Sequence, residues 1–401
     1  MKPLSRDELL TSVEKFIGWL DRYGELSFDL NDFNSSSTGN FIRKVYYRNK
    51  ILGAPLAFLA LAQETFFPAA LTLYAKPHRE AIGDAQYAIG FLQLYEFNGD
   101  VRYLHRAEHF LDELKKSAVT GYSGLCWGYT YGWQTTDGYW PPRTPVITVT
   151  PYGYWAFRKY YELTGNNDVQ DILRSIVRFP IHDLKRLILP DGTQCYSYSP
   201  LDRRFVVNAN AYRAAMLLDA FKLFGDENYR QEAEISLRFV LASQEKDGSW
   251  FYEPVGTRDR FIDNFHTCFV LKSLKQCYDV TGDPTIMDAI RKGYDYYRKS
   301  LIRPDGLPKH FALQKHNKLR KYEMYDFAEG ITLGCLLDGS VDDGLEQSKT
   351  LAGALIRKFQ LSDGHFVTRV TTLGTVNKVP YHRWPQAQLF NALTRLLLKM
   401  K

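Results

Sequence analysis

An Asp-Gly pair recurs along the chain at a nearly constant interval, and this repeat constrains the fold more than any other feature. The pairs begin at Asp137, Asp191, Asp247, Asp305 and Asp363, with gaps of 54, 56, 58 and 58 residues. A second marker, a glycine after an apolar segment, keeps a similar period. These glycines are Gly99, Gly165, Gly225, Gly282 and Gly339. Two independent markers with one period predict a chain built from repeated units.

Each unit predicts a helical hairpin followed by a turn and a short strand. An apolar helix ends at the glycine, which adopts the left-handed conformation of a helix end at little cost. Asp226 and Asp283 then follow as caps of a second helix. Residues 265–281 are apolar round most of the helix, whereas residues 283–301 have a polar face. Buried helices therefore alternate with half-buried ones.

Hairpins that alternate in this way stack into an open solenoid or a closed ring. The last apolar helix, near residues 386–398, favours closure. We therefore expect an all-α fold, an (α/α)6-type toroid of helical hairpins with short β-hairpins at one rim. Residues 1–45 are expected to form an N-terminal helix and a polar connection, and residues 46–401 a single toroid domain.

The composition excludes several other classes. With 45% hydrophobic and 24% charged residues, the 401-residue chain is not disordered over most of its length. Its net charge is +6, and the basic residues are scattered among acidic ones along the chain. They lack the interleaved pattern of aromatic and basic residues that is typical of nucleic-acid binding. No segment approaches ~20 uninterrupted apolar residues, so we expect no transmembrane segment. Five dispersed cysteines indicate a reducing compartment, and we expect a cytoplasmic protein of unknown oligomeric state.

Polar residues cluster where the inner helices are expected to begin. Capping explains one such residue per helix, but it does not explain His266, Glu329 and Arg383 in one layer of the ring. We expect a pocket at this rim, since convergent polar groups in a concavity are typical of ligand sites. The catalytic candidates are Asp263, His266, Asp326 and Glu329.

The insertion at residues 122–148 contains three of the seven tryptophans of the chain. Aromatic rings on a loop at a pocket mouth are suited to stacking on sugars, although core packing explains any single ring equally well. The expected substrate-binding residues are Trp127, Trp133, Asp137, Arg143, Tyr198, Asn208, Asn210, Asn264, Glu323, Arg383 and Trp384. We expect no cofactor and no metal ion, because the zinc-protease-like pattern from His105 to His109 lacks an evident third ligand.

These residues fit two kinds of sugar chemistry. A glycosidase needs one protonated and one ionised carboxyl group, and two of Asp263, Asp326 and Glu329 would serve, with His266 assisting. A uronate lyase or epimerase needs a base and groups that neutralise the sugar carboxylate. The residues for that chemistry are His266, Asn264, Tyr198 and Arg383.

Two stretches of sequence resemble known families. Gln244-Glu-Lys-Asp-Gly-Ser-Trp250 resembles the QW repeat of terpene cyclases and related α/α toroids, but the Asp-x-Asp-Asp motif of squalene-type cyclases is absent. Residues 120–395 resemble a little-characterised family encoded with surface-polysaccharide biosynthesis genes. The matching stretches are 126–129, 133–134, 195–200, 208–211, 247–252, 262–267 and 383–386. Its members sometimes carry the name delta-aminolevulinic acid dehydratase, although that enzyme is similar to an α/β barrel and no βα repeats occur here.

The second resemblance implies an α/α toroid, like many glycosidases and lyases, and a glycan context. We therefore expect a carbohydrate-active enzyme that acts on a surface polysaccharide or its precursor, either neutral or anionic. A glycoside hydrolase is slightly favoured over a uronate lyase or epimerase. A terpenoid-type cyclase and a non-catalytic glycan-binding or assembly protein are the remaining alternatives, because a toroid alone does not determine the chemistry.

Overall fold

The computed structural model describes residues 3–135, 138–254, 260–313 and 319–401. Its α-helices are α1 (Arg6–Tyr23), α2 (Asp32–Ser35), α3 (Ser37–Arg48), α4 (Lys50–Phe66), α5 (Ala81–Asn98), α6 (Val101–Ser117), α7 (Thr150–Thr164), α8 (Asp168–His182), α9 (Val207–Phe224), α10 (Glu227–Ala242), α11 (Asn264–Thr281), α12 (Pro284–Ser300), α13 (Met324–Leu337), α14 (Gly344–Phe359) and α15 (Ala387–Lys399). A 3₁₀ helix at Pro68–Leu73 follows α4, and a π-helical turn at His382–Gln386 precedes α15. None of the helices in these ranges has the length and apolar character that crossing a bilayer requires.

Six inner helices close into a ring within the described residues. In order round the ring they are α5, α7, α9, α11, α13 and α15, and α15 packs against α5 again. Outer helices α6, α8, α10, α12 and α14 each follow an inner helix and pack against it. This closed double ring confirms the expected α/α toroid.

Four of the five marker glycines end inner helices as predicted, whereas α13 ends at Leu337 with Asp338 as its C-cap, one residue before Gly339. Gly99, Gly165, Gly225 and Gly282 are C-caps with φ between 66° and 73°, a backbone region in which glycine is favoured. Inner helix α5 is buried at every residue from its start to Leu94, whereas outer helix α12 buries one face. The expected difference between the two kinds of helix is therefore present in the structure.

The Asp247-Gly248 turn lies against the outer helix of the following unit. A Cβ on Gly248 would lie 2.3 Å from the carbonyl oxygen of Lys292 in α12, so a larger residue would push the turn away. Gln244 donates from Nε2 to the carbonyl of Ala289 in α12 at 2.9 Å, and Trp250 donates from Nε1 to the carbonyl of Val240 at 2.9 Å. The residues of the QW-like motif thus join consecutive units.

Helix α1 occupies the corresponding place beside the last unit. A Cβ on Gly364 would lie 2.2 Å from the carbonyl oxygen of Lys15 in α1. Gln360 donates from Nε2 to the carbonyl of Ser12 at 3.0 Å, which repeats the contact between Gln244 and α12. Helix α1 packs on both α14 and α15, and it therefore serves as the outer helix that pairs with α15.

Short antiparallel strands lead into the inner helices at one rim. They are β1 (Trp133–Thr135), β2 (Gly138–Trp140), β3 (Arg186–Ile188), β4 (Gln194–Tyr196), β5 (Ile262–Asp263), β6 (Phe311–Leu313), β7 (Arg320–Glu323), β8 (Arg369–Thr371) and β9 (Val376–Asn377). Strands β1–β2, β3–β4 and β5–β6 form pairs, and β7–β8–β9 forms a three-stranded sheet. In the first pair Trp133 faces Trp140. Strands β1–β2, β3–β4 and β8–β9 form short hairpins as predicted, whereas β5–β6 and β7–β8 pair strands that lie on either side of a helical hairpin.

His382 joins the first and last helices of the ring. Its Nε2 donates to the carbonyl of Gly24, which ends α1, at 3.0 Å, and its Nδ1 lies 2.6 Å from the hydroxyl of Tyr87 in α5. Because Nε2 donates to a carbonyl, Nδ1 is free to accept from Tyr87 in the neutral imidazole. Burial lowers the pKa of His382 to about 4.

The contribution of His382 to the free energy of unfolding is expected to fall as the pH falls from 6.5 towards 4. In that window the histidine is protonated in the unfolded chain but not in the folded chain. The pKa shift corresponds to about 3 kcal/mol of free energy of unfolding. Urea unfolding at several pH values measures the slope, which should be shallower in a His382→Gln variant. Equal slopes for the two proteins would contradict this account.

Candidate functional site

Aromatic rings line the rim at which the inner helices begin. Trp384 lies parallel to Tyr325, with ring centroids 3.8 Å apart and 5° between the planes. Phe265 meets both rings edge-on, at 5.2 Å from Trp384 and 5.3 Å from Tyr325. Stacked and edge-on contacts are both favourable for aromatic pairs. These rings connect the starts of α11, α13 and α15 at a common mouth.

Asp263 and His266 form a pair at the start of α11. Asp263 caps the helix by accepting from the backbone N–H of His266 at 3.1 Å. The same carboxylate lies 2.9 and 2.8 Å from Nδ1 of the imidazole. Because an ionised carboxylate only accepts, Nδ1 carries a proton in this pair. Asp263 therefore sets both the orientation and the tautomer of His266.

The other ring nitrogen of His266 is open at the mouth. The His266 side chain is 22% exposed, whereas Asp263 is buried. The rings of Phe265, Tyr252 and Phe261 surround the imidazole at 4.1, 4.7 and 5.7 Å. Among the described residues, Nε2 makes no hydrogen bond. An imidazole held in this way can accept a proton from a ligand.

Asp326 is buried in the first turn of α13 and binds His310. Oδ2 of Asp326 lies 2.7 Å from Nδ1 of His310, and Arg320 donates to Nε2 of His310 at 2.9 Å. Since a guanidinium only donates, Nε2 accepts and the proton of His310 lies on Nδ1. Burial raises the pKa of Asp326 to about 6, although His310 opposes the shift. Oδ1 of Asp326 has no hydrogen-bond partner in the described part of the chain.

Glu329 lies about one turn further along α13, inside the ring. Its carboxylate binds the ammonium group of Lys272 from α11. Both residues line a cavity of about 270 Å³, together with Tyr152 and Tyr212, whose hydroxyls are 2.7 Å apart, and the exposed Glu162 near the end of α7. Burial raises the pKa of Glu329, and Lys272 opposes this shift. Glu329 thus belongs to the interior of the toroid more than to its mouth.

Glu323 positions one of the rings at the mouth. Its Oε1 accepts from Nε1 of Trp384 at 2.9 Å, and its Oε2 accepts from Nε of Arg369 at 2.7 Å. Burial raises the pKa of Glu323. The positive charges of Arg369 and the neighbouring Arg320 lower it by more, so the pKa lies below its ordinary value. Glu323 is therefore an ionised anchor for Trp384.

Arg383 also lies at the mouth, but its charge is paired within the protein. Its Nη2 donates to Oδ1 of the buried Asp29 at 2.7 Å. The guanidinium lies 5.1 Å from the centroid of the Tyr129 ring, within range of a cation–π contact. Asp29 thus neutralises the one arginine that the sequence places in the same layer as His266.

The four catalytic candidates lie near one another, with Glu329 further inside the ring than the other three. The ring of Phe269 lies 5.6 Å from His266 and 5.4 Å from Nζ of Lys272, which holds Glu329. Asp263 and Asp326 are close enough for their charges to interact. The sequence-based grouping of these residues is therefore matched by their proximity, while their catalytic roles stay a prediction.

Two of the expected binding residues lie in the wall of the toroid. Trp127 is 1% exposed, and its Nε1 donates to the carbonyl of Leu114 at 2.9 Å. Arg143 is exposed and donates to the carbonyl of Ser117 at 2.9 Å, at the end of outer helix α6. Neither side chain is brought to the aromatic mouth.

The three asparagines at the helix starts are all buried. Asn210 accepts from the backbone N–H of Tyr196 at 2.9 Å, and Asn264 donates to the carbonyl of Leu301 at 2.9 Å. These two amides hold strands and loops to the inner helices. Asn208 differs, because its Oδ1 has no hydrogen-bond partner among the described residues.

The remaining expected residues lie on the aromatic insertion or beside it. The ring of Trp133 lies 5.4 Å from that of Tyr129, and the hydroxyl of Tyr198 lies 2.5 Å from Oγ1 of Thr148. Asp137 lies outside the described residues. Trp133 and Tyr198 therefore remain candidates for contact with a ligand.

Sequence reasoning missed three partners of the candidate acids. Lys272 carried a signal, since it is a charged residue in the apolar run of α11. His310 and Arg320 carried none, because no pattern in the sequence pairs them with each other or with Asp326. The ionic environment of the site therefore depends on contacts that only the fold reveals.

The zinc-protease-like pattern makes contacts within the protein. His109 binds Glu25 through Nε2 at 2.8 Å, and Glu108 accepts from the hydroxyl of Tyr160 at 2.9 Å. In the ranges that the structure describes, no group of three or more His, Cys, Asp or Glu side chains is placed to hold a metal ion.

Comparison with known proteins shows which structures have this fold. No family model matches the sequence, and no curated protein matches it either. Cellobiose 2-epimerase from Bacillus thermoamylovorans B4167 has a TM-score of 0.62 and 13% identity, over 89% of this chain and 98% of its own. A polysaccharide lyase has a TM-score of 0.57 and 11% identity, over 91% and 98%.

A third similar structure is the unsaturated glucuronyl hydrolase from Streptococcus agalactiae, with a TM-score of 0.59 and 12% identity. That similarity covers 100% of this chain and 93% of the hydrolase. At these identities the comparisons establish a shared fold, the six-hairpin toroid expected from the sequence. They leave the activity to be argued from the site.

A Lys272→Met variant is expected to unfold more readily, and the loss should grow as the pH rises. Without its partner, the buried Glu329 carboxyl takes up a proton at low pH but must ionise or unfold at high pH. Removing one partner of a buried ion pair costs about 3–5 kcal/mol. Urea unfolding at pH 5 and pH 8 measures the difference.

The double variant Lys272→Met with Glu329→Gln is the matched control. It should regain much of the stability and lose the extra pH dependence, because no unpaired charge stays buried. If Lys272→Met lowers the free energy of unfolding by the same amount at both pH values, then packing, and not the charge of Glu329, is responsible.

Proposed function

We propose that this protein is a carbohydrate-active enzyme that transfers a proton at a sugar carbon, with His266 as the base. The observation that carries the proposal is the geometry of His266, whose Nδ1 is held by Asp263 while Nε2 is open at an aromatic mouth. The ring of Trp384, which is partly exposed and stacks on the buried Tyr325, is suited to the apolar face of a sugar. The similar folds of an epimerase, a lyase and a hydrolase support a sugar substrate.

Sugar epimerisation and uronate elimination begin with the same step. A base removes the proton from a carbon next to a carbonyl or carboxylate, and the C–H electron pair moves into an enolate. Here Nε2 of His266 takes that proton, and Asp263 stabilises the resulting imidazolium. An epimerase then returns a proton to the other face of the carbon. A lyase instead forms a C=C bond, breaks the C–O bond at the next carbon, and the departing oxygen takes up a proton.

A glycoside hydrolase is the second candidate, and Asp326 favours it. Burial raises the pKa of Asp326 to about 6, and its Oδ1 has no partner among the described residues, as a general acid requires. Proton transfer is preferred because each candidate carboxylate already binds a basic side chain. Asp263 binds His266, Asp326 binds His310 and Glu329 binds Lys272.

His266→Gln is expected to reduce activity by at least about 10²-fold, the usual contribution of a general base. Asp263→Asn should reduce it less, because the imidazole stays but loses its anionic partner. Oligosaccharides are screened in D₂O, where an epimerase incorporates deuterium at the reacting carbon. A lyase gives near-ultraviolet absorbance from an unsaturated uronate, and a hydrolase releases reducing ends without either signal.

His365→Gln is the matched control, because His365 also pairs through Nδ1 with an aspartate, at 2.8 and 2.9 Å. Its Nε2 is bound to the carbonyl of Lys378 at 3.0 Å, so it has no nitrogen open to a ligand. This variant should keep its activity. Proton transfer at His266 is refuted if His266→Gln remains fully active, or if activity consists of reducing-end release that depends on Asp326 alone.

A further inference from the structure

The outer face of α4 is apolar although it is exposed. Ile51, Leu52, Phe58 and Leu59 are 85%, 67%, 67% and 64% exposed. Residues 51, 55, 58, 62 and 66 are all apolar and are spaced by three or four, so they form one line along the helix. A helix that is apolar round its circumference is normally buried. The structure therefore leaves α4 without the surroundings that its sequence requires.

The apolar surface extends beyond α4 on both sides. Phe41 and Tyr47 of α3 are 62% and 42% exposed, and Phe67 and Leu73 after α4 are 69% and 86% exposed. Contiguous exposed apolar surface of this kind marks a site of interaction with a protein or a membrane. We call the surface formed by these residues and the outer face of α4 the hairpin face.

The charges round the hairpin face are almost all positive. Lys44, Arg48, Lys50 and Lys76 are exposed. From residue 33 to residue 79 the only acidic residue is Glu64, and it binds Arg369 of β8. The hairpin face thus combines an apolar line with unbalanced basic side chains, a combination typical of helices that lie on anionic membranes.

The hairpin that carries this face is firmly built. Helices α3 and α4 approach so closely that a Cβ on Gly53 would lie 2.3 Å from Cα of Tyr46. Asn49 caps α4 by accepting from the backbone N–H of Ile51 at 3.0 Å, and Asn40 of α3 accepts from the backbone N–H of Gln134 at 2.8 Å. The exposed rings are therefore presented on a fixed surface.

A second copy of this chain is a poor occupant of the hairpin face. In a two-fold dimer the same patch meets itself, so the basic side chains of one protomer would meet a patch whose only acidic residue, Glu64, already binds Arg369. An anionic lipid surface supplies both missing components, since its headgroups attract the basic side chains and its acyl region receives the apolar ones.

We propose that the hairpin face binds the surface of an anionic lipid bilayer. The apolar line of α4 enters the boundary between headgroups and acyl chains, and the basic side chains bind lipid phosphates. This inference does not depend on the proposed catalytic function, because it rests on residues 33–79 alone and its test reads binding.

The experiment is flotation of the full-length protein with vesicles of phosphatidylcholine and phosphatidylglycerol at 7:3, against vesicles of phosphatidylcholine alone. The full-length protein should float with the anionic vesicles, and binding should weaken at 0.5 M NaCl. Phe58→Gln with Leu59→Gln should reduce binding at least tenfold. Neutralising Lys44, Arg48 and Lys50 to Gln should reduce it by about fivefold for each charge removed.

Control variants carry similar changes at the opposite rim. Val101, which is 56% exposed at the start of α6, is changed to Gln as the apolar control. Arg102, Arg230 and Lys401 are changed to Gln as the charge control. Both controls should float like the unchanged protein. Circular dichroism and thermal unfolding test whether each variant folds. We expect folding, because the changed side chains are exposed.

Three outcomes would overturn the proposal. The first is no flotation with either kind of vesicle. The second is flotation that the hairpin variants and the control variants reduce equally. The third is a stable dimer in sedimentation experiments that Phe58→Gln with Leu59→Gln dissociates, without vesicle binding, which would identify a second copy as the occupant.

Discussion

The first helix of the chain completes the outer layer of the ring, because it stands beside the last unit and packs on α14 and α15. The contacts of Gln360 and Gly364 with α1 repeat those of Gln244 and Gly248 with α12. Without α1, helix α15 would lack its outer partner and the last Asp-Gly turn would have no surface to pack on.

Much of this architecture could be predicted because its causes are local and periodic. Glycine at a helix end and Asp-Gly in a turn act through backbone geometry within a few residues. The roles of individual side chains were less predictable. An indole on a glycine-rich loop has the same chemistry whether it meets a sugar or, as Trp127 does, a buried carbonyl. The partner that decides between them comes from another helix.

The same limit applies to the acids. The sequence marks Asp326 and Glu329 as polar residues on an inner helix, but their environments are set by His310 and Lys272, which are 16 and 57 residues away along the chain. Burial disfavours an unpaired charge, so each acid acquires a basic partner. Because of this pairing, the carboxylates are held by basic side chains. Nε2 of His266, which makes no such contact with the described residues, is available to a ligand at the mouth.

Two acidic residues, one just before the hairpin face and one within α4, neutralise buried arginines near the mouth. Asp29 pairs with Arg383, and Glu64 of α4 pairs with Arg369, which in turn holds Glu323 and through it Trp384. Both arginines are buried, so moving these acids away would leave Arg383 without its carboxylate partner and Arg369 with Glu323 alone. A surface contact that shifts α4 would therefore act on Trp384 through Glu64 and Arg369. The mouth and the hairpin face are thus connected by paired charges, although they face different surroundings.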